Sequence, residues 1–222
     1  MIIKLNPKIA ELIGMHVGDG TLYRTKTSIV WELRGSLDEK DYYRNHVKKL
    51  LESIFKGVEF KPKFRSGGKQ GCFGIQTSKK EISEFFVQYG FLPGSKTHSV
   101  RIPNYIIKAN KSIQYAFIRG LFDTDGYLRF ERINNNKNYT YPKIEFGSAS
   151  IQLRDDVFIL LSKLGYRLYK WGKKDYYKLC LAGIDNLDKF IKEIAPRNVK
   201  HLNKHGFWKV HGHNNPSYAA VA

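Results

Sequence analysis

The order of hydrophobic and polar residues predicts the same run of elements in both halves of the chain. Apolar residues recur at helical spacing in "KIAELIGMHVG" (8–18) and again in "QYAFIRGLFDT" (114–124). Each helix is followed by a hairpin pattern, a second helix, a second hairpin and a third helix. The pattern therefore predicts an α+β fold of two αββαββα halves, related by a pseudo-two-fold axis. We expect the N-terminal half to span 1–109 and the C-terminal half 110–222, within one compact monomer.

One short segment occurs twice at a constant offset. The matched residues are Ala10, Gly14, Asp19, Gly20 and Leu22 in the first copy, and Ala116, Gly120, Asp125, Gly126 and Leu128 in the second. Asp-Gly is a common turn dipeptide, so one copy would indicate only a turn. Two copies in matched frames, each followed by the same order of elements, indicate a fused dimer of similar halves.

Small residues in the duplicated segments predict that their helices pack closely. Gly14 and Gly120 are unfavourable inside a helix unless their lack of a side chain is used, for example at a helix–helix contact. Packing about a two-fold axis would bring Asp19 and Asp125 together at the C-terminal ends, where the helix dipole is negative. Two carboxylates placed there repel each other, and a divalent cation would relieve that repulsion.

The ends of these helices are therefore candidates for a metal site. Mg²⁺ prefers carboxylate and carbonyl oxygens, and we expect Asp19 and Asp125 to hold it, with Mn²⁺ or Ca²⁺ as other possible occupants. The carbonyls of Gly18 and Thr124 are predicted to be free to assist, because the last helical carbonyls lack intrahelical partners. Gly20 and Gly126 are predicted to end the helices as left-handed caps.

The net charge points to a polyanionic partner. The chain has 38 Lys and Arg against 20 Asp and Glu, which gives a net charge of +18. A surplus of this size favours nucleic acid, and no basic amphipathic helix suggests a membrane surface. Two cysteines do not make a disulfide framework, and neither a signal peptide nor a targeting segment is recognisable. We expect prokaryotic cytoplasm, including that of archaea, or synthesis within an organelle.

The duplicated segments resemble the LAGLIDADG motif of homing endonucleases. The second copy, "IRGLFDTDG" (118–126), matches the motif at Gly120, Leu121, Asp123, Asp125 and Gly126. The first copy, "LIGMHVGDG" (12–20), departs at the sixth position, which is Val17, but keeps the acid at the eighth position. The chain is similar to the monomeric, two-motif type. Since it starts with Met and shows no intein splicing signature, the intron-encoded kind is expected.

The resemblance implies a saddle of antiparallel sheets over a long double-stranded DNA site, with the motif helices at the interface. Asp19 and Asp125 would lie over the minor groove, and metal-dependent hydrolysis there would leave 3′ overhangs. It also implies a Lys or Gln that polarises the metal-bound waters, for which Gln76 and Lys178 are the candidates. Lys96 and Lys200 recur at similar distances from the two acids, and could contact phosphates or support structure instead.

Basic and aromatic residues on the predicted strands are candidates for DNA contact, because one face of each sheet is expected to face DNA. They are Arg24, Lys26, Trp31, Arg34, Lys61, Lys63, Arg65, Arg129, Arg132, Lys143, Lys170, Trp171, Lys173 and Lys174. An Asn-rich hairpin tip at 134–138 is a further candidate. The tail from Ile194 contains four histidines and no acid, and we expect it to contact phosphates rather than hold zinc.

Two other functions are compatible with the same scaffold. An RNA maturase that assists intron splicing would bind intron RNA and could keep both acids. A DNA-binding regulator would have no use for paired carboxylates facing a polyanion, because uncompensated acids weaken binding. Retention of Asp19 and Asp125 therefore favours the nuclease.

Overall fold

The computed structural model describes residues 4–66, 71–133 and 137–214, and the chain forms two compact units. The first unit is Met1–Lys96 with Pro103–Thr124, and the second is Thr97–Ile102 with Asp125–Ala222. The second motif helix therefore packs with the first unit up to Thr124. The division at 109/110, which follows the sequence duplication, stays a prediction. Residues 134–136 of the Asn-rich tip lie outside the described ranges.

The first unit begins with helix α1 (Pro7–Val17). Asn6 caps it by accepting a hydrogen bond from the backbone N–H of Ile9 at 3.1 Å, and proline occupies the first turn, where no N–H is needed. The elements that follow are β1 (Gly20–Arg24), β2 (Ile29–Gly35), a 3₁₀ turn (Leu37–Glu39), α2 (Lys40–Tyr42), a π-helical segment (Tyr43–Val47), α3 (Lys48–Ile54), β3 (Lys63–Arg65), β4 (Cys72–Thr77), α4 (Lys80–Gln88), α5 (Asn104–Ile107) and α6 (Lys111–Asp125).

The second unit repeats the order of strands and helices. Its elements are β5 (Gly126–Glu131), β6 (Tyr141–Ser148), α7 (Ile151–Lys163), β7 (Tyr169–Lys173), β8 (Tyr176–Ala182), α8 (Ile184–Glu193) and α9 (Val199–His211). The antiparallel sheets have the orders β1-β2-β4-β3 and β5-β6-β8-β7, so each strand has a counterpart. The predicted α+β fold with duplicated sheets is confirmed. No helix in the described ranges is both long and apolar enough to cross a bilayer.

One face of each sheet is buried against helices. In the first sheet Leu22, Leu33 and Ile75 are at most 2% exposed, and Leu128 and Leu179 are equally buried in the second. Because side chains alternate along a strand, the intervening residues lie on the opposite face. We call this opposite face the open face of each sheet.

Helices α1 and α6 approach at backbone distance through their glycines. A Cβ on Gly14 would overlap the carbonyl oxygen of Phe117, and a Cβ on Gly120 would overlap the carbonyl oxygen of Glu11. The Glu11 carboxylate also reaches across to the Arg119 guanidinium at 3.0 Å. The glycines and this ion pair together set how the two helices lie against each other.

Gly20 serves a different purpose from the predicted left-handed cap. Helix α1 ends at a cap residue, Gly18, with φ −69° and ψ −107°, and Gly20 and Gly126 each begin a strand. Gly20 is not in the left-handed region, but a Cβ there would overlap the imidazole of His16. The prediction of left-handed caps at Gly20 and Gly126 is therefore wrong, since neither glycine has a positive φ. At Gly20, close packing against His16 is what requires a glycine.

Gly120→Ala should destabilise the protein by about 1–3 kcal/mol, because the added methyl group has to push α1 and α6 apart. Gly206→Ala is the matched control, since a Cβ at this position in α9 meets nothing within 4 Å. The control should be neutral or slightly stabilising. Chemical denaturation of both variants measures the difference, and equal stabilities would contradict the close approach of the helices.

Candidate metal site and nucleic-acid interface

Each duplicated acid lies between a motif helix and the first strand of a sheet. Asp19 is half-buried and separates α1 from β1, whereas Asp125 is exposed, ends α6 and directly precedes β5. The C-terminal end of a helix carries a partial negative charge, which favours cations. Carboxylate oxygens at such ends are the kind of donor that Mg²⁺ takes, so both residues fit a divalent metal.

The ammonium group of Lys96 binds the end of α1. Its Nζ lies 2.6 Å from the carbonyl oxygen of Val17 and 2.5 Å from that of Gly18. The prediction that the Gly18 carbonyl is free is therefore wrong, because a charge-assisted hydrogen bond already uses it. At the matching position of α6, the Thr124 hydroxyl lies 3.0 Å from the Gly120 carbonyl oxygen. Metal contact by either Gly18 or Thr124 stays a prediction.

A buried histidine lies in the last turn of α1, three residues before Asp19. The Nδ1 atom of His16 accepts a hydrogen bond from the Trp31 indole at 3.2 Å, and the ring packs against Phe86 and Phe91. Burial, followed by the charge of Lys96, lowers the pKa of His16 to about 3. The imidazole is therefore neutral at physiological pH and acts as a fixed hydrogen-bond acceptor.

The π-helical segment brings a buried tyrosine towards the same end of α1. Burial raises the pKa of Tyr43 well above its usual value, and the negative charge of Asp19 raises it further. The phenol therefore stays protonated across the physiological range. Single π-helical turns are often found at functional sites, and the helical pattern of 39–55 carried no signal for this one.

The open face of the first sheet carries basic and polar side chains. The Gln76 amide donates a hydrogen bond to the Tyr23 hydroxyl at 2.7 Å, and Arg34 pairs with Glu32 at 2.9 Å. A shallow depression of about 450 Å³ lies on this face. Its basic and amide lining residues are Arg34, Lys63, Arg65 and Gln76.

The open face of the second sheet is also basic. Along β5, buried Leu128 and Phe130 alternate with Tyr127, Arg129 and Glu131. Strand pairing places Lys143 beside Arg129, and Lys178 beside Trp171. The Lys178 ammonium lies 4.7 Å from the centroid of the Trp171 ring, within the range of a cation–π contact.

Comparison with known proteins identifies the fold. Residues 112–195 match the model of a LAGLIDADG-like domain. The homing endonuclease I-DmoI, solved in complex with DNA and Mn, superposes with a TM-score of 0.59 at 18% identity, over 86% of this chain and 97% of that one. The chain therefore has the fold of the LAGLIDADG homing endonucleases, and within it residues 112–195 resemble a LAGLIDADG-like domain.

In the curated relatives, the segment similar to this chain is a small part of a longer protein. The replication factor C small subunit of Methanocaldococcus jannaschii is 27% identical over 90% of this chain but only 10% of its own length. The tRNA-splicing ligase RtcB of Pyrococcus abyssi is 25% identical over 84% of this chain and 22% of its own length. The chain thus spans less than a quarter of either relative.

Most of the predicted DNA-contact residues lie on the open faces, at hairpin ends or outside strands. Strand pairing assigns these to the open faces: Arg34, Lys63, Arg65, Arg129, Lys143, Trp171 and Lys173. Five others lie at hairpin ends or outside strands: Arg24, Lys26, Lys61, Arg132 and Lys174. Neither group has been tested for DNA contact, so these assignments stay predictions.

Two of the predicted DNA-contact residues, Trp31 and Lys170, lie on the helix side of their sheets instead of on the open face. Trp31 is completely buried and stacks on Phe86 at a centroid distance of 5.1 Å. Lys170 reaches the helix side of its sheet, where its ammonium lies 3.0 Å from the Asp155 carboxylate on α7. Both are structural residues, because strand alternation turns them towards the helices.

Gln76 and Lys178 do not occupy matching positions. Gln76 pairs with Glu32 in β2, and the residue that pairs with the equivalent Glu145 is Cys180. Lys178 lies opposite Gly147 instead. The two candidates thus lie at different register positions of their sheets, and water polarisation by either residue stays a prediction.

The histidine-rich tail is largely a packed helix. In α9 the buried Trp208 stacks on Phe130 at 5.6 Å, and the ammonium of buried Lys204 lies 4.2 Å from the centroid of the Tyr127 ring. Within the described residues, no three His, Cys, Asp or Glu side chains cluster as a metal site. Helix α9 therefore packs through one face on the second unit, and phosphate contact by the tail stays a prediction.

The stability of the protein should fall as the pH falls below about 6.5, because the unfolded chain takes up a proton at His16 that the folded chain refuses. His16→Gln keeps an acceptor for Trp31 but has no such proton. Between about pH 7 and pH 5 the wild type should lose about 2 kcal/mol more stability than this variant.

Denaturation curves at the two pH values measure the difference. His98→Gln is the control, because the side chain of His98 is 66% exposed. An equal loss of stability in wild type and His16→Gln would show that His16 is not held neutral by burial.

Proposed function

We propose that the chain is a site-specific double-strand DNA endonuclease that acts as a monomer with divalent metal ions. It cuts a long asymmetric site across the minor groove and leaves 3′ overhangs. The observation that carries the proposal is the matched position of Asp19 and Asp125. Asp19 lies two residues after the end of α1 and Asp125 is the last residue of α6, and each directly precedes the first strand of a sheet.

DNA is proposed to lie along the open faces. Strands in the major groove are a known mode of DNA recognition, and Arg and Lys on such strands contact guanine or phosphate. The net charge of +18 supplies the long-range attraction that brings a polyanion to these faces. I-DmoI, which shares the fold, is solved with DNA and Mn, which supports the same partner for this chain.

Asp19 and Asp125 are proposed to hold the metal ions, for which Mg²⁺ is the expected occupant. When bound, a divalent cation supplies an activated water and stabilises the leaving oxygen. The residues of the chain prepare this site. His16 and Gly20 fix the backbone before and after Asp19, and the positive charge of Lys96 offsets the negative end of α1.

The distribution of relatives supports a mobile element. Segments similar to this chain occur within a tRNA-splicing ligase and within a replication factor, which have unrelated functions. A module that inserts into many hosts explains such a distribution. Those segments are parts of translated proteins. They therefore favour a chain encoded in frame within a host protein over the intron-encoded kind expected from the sequence.

Asp19→Asn and Asp125→Asn should each reduce double-strand cleavage by on the order of 100-fold or more, because each removes a charged metal ligand worth several kcal/mol to the transition state. DNA binding should be retained or strengthened, since a negative charge facing phosphates is lost. Cleavage of a plasmid that the wild type cuts, together with equilibrium binding, measures both effects.

Asp155→Asn is the charge-matched control and should cut normally, because Asp155 pairs with Lys170 on the helix side of its sheet. Full cleavage by either motif variant would overturn the assigned roles. Absence of cutting by the wild type, with tight binding to structured intron RNA, would support the maturase instead.

A further inference from the structure

Each open face carries a glutamate at the same place in the strand register. Glu32 in β2 pairs with Thr21, the second residue of β1, and Glu145 in β6 pairs with Tyr127, the second residue of β5. Glu145 is only 4% exposed. Carboxylates are unexpected on a surface that is otherwise basic, and buried charges are costly unless they are paired.

Glu145 is held by basic side chains from two neighbouring strands. One of its oxygens lies 2.8 Å from the Arg129 guanidinium, and the other lies 3.5 Å from the Lys178 ammonium. Arg129 also pairs with Glu131, which in turn binds Lys143 at 2.6 Å. The cations and carboxylates therefore alternate in one connected row across the open face.

The same row affects the protonation of its members. Burial alone would lower the pKa of Arg129, but the hydrogen bonds and charges of Glu145 and Glu131 raise it above its usual value. Burial also opposes the shift at Glu131, but Lys143 and Arg129 lower the pKa of that carboxyl. Arg129 and Glu131 are therefore both charged at neutral pH, and the cations of the row are paired before any DNA arrives.

Glu32 has a similar role in the first sheet. Its Oε2 atom lies 2.9 Å from Arg34 and 3.5 Å from Arg65, and the Tyr23 hydroxyl is also 3.5 Å away. Arg34 is confined by this contact, with its side chain only 15% exposed. Each sheet therefore has its own carboxylate at this register position, and each carboxylate binds two cations, although other side chains of the two sheets differ.

We propose that Glu145 and Glu32 are positioning residues for DNA specificity, an inference that rests on the proposed function. Lysine and arginine without partners bind any phosphate, and this supplies sequence-independent affinity. A cation held by a carboxylate leaves it only for a better partner, such as the bidentate edge of guanine. The glutamates restrain binding to random DNA and aim the cations at base edges.

Glu145→Gln tests the proposal through the salt dependence of binding, which a purely structural role would not change. The variant should gain about one phosphate contact, because Lys178 and part of Arg129 are released. Its log–log salt slope on a short duplex of random sequence should steepen by about 0.9. Between about 50 and 200 mM salt it should lose about threefold more affinity than the wild type does.

Two further variants make the result specific. Asp155→Asn changes the net charge equally but lies on the helix side, so it should leave the slope unchanged. Glu145→Asp keeps the charge and should restore the wild-type slope. An unchanged slope in Glu145→Gln, or an equal change in Asp155→Asn, overturns the proposal.

Glu32→Gln repeats the test in the first sheet. If Glu145→Gln does not fold, the salt slope of Glu32→Gln decides the proposal: a steeper slope supports it and an unchanged slope overturns it. A change of base preference at one position with no change in slope would mean that the glutamate reads a base directly, which also overturns the proposal. If the wild type does not bind the duplex at all, the proposed function fails. If it binds and the slopes agree, only this inference fails.

Discussion

The structure depends on the backbone contact between α1 and α6. At Gly14 and Gly120 there is no room for a Cβ, because each position faces a carbonyl oxygen of the other helix. The Glu11 carboxylate extends the contact by pairing with Arg119 on α6 and with His46 in the π-helical segment. Helices held at this distance cannot slide or rotate without overlap, so the backbone that leads to each acid has a fixed course.

The second constraint is the alternation of side chains along the strands. It buries Leu22 and Leu128 against helices and leaves the other face of each sheet to basic residues. On these open faces, charge is not simply positive. Glu32 and Glu145 pair with most of the neighbouring cations, so the surface presents oriented cations rather than a uniform field.

The sequence predicted the secondary-structure elements and their duplication well. The spacing of hydrophobic residues and the repeated Asp-Gly segments can both be recognised within short stretches of the chain. Sequence reasoning did not determine which face of a strand is buried. Trp31 and Lys170 were therefore misassigned, although both fit a basic and aromatic strand. It also could not show that Lys96 reaches the Gly18 carbonyl, because the two residues are far apart in sequence. Glu32 and Glu145 gave no signal, since only strand register reveals their shared position.

The most direct test of the central claim is to incubate the protein with a randomised plasmid library, in Mg²⁺ and in EDTA, and to sequence the cut ends. The account predicts Mg²⁺-dependent breaks within one long sequence, with 3′ overhangs. Cutting that persists in EDTA, or breaks without a shared sequence, would contradict a metal-dependent, site-specific nuclease centred on Asp19 and Asp125.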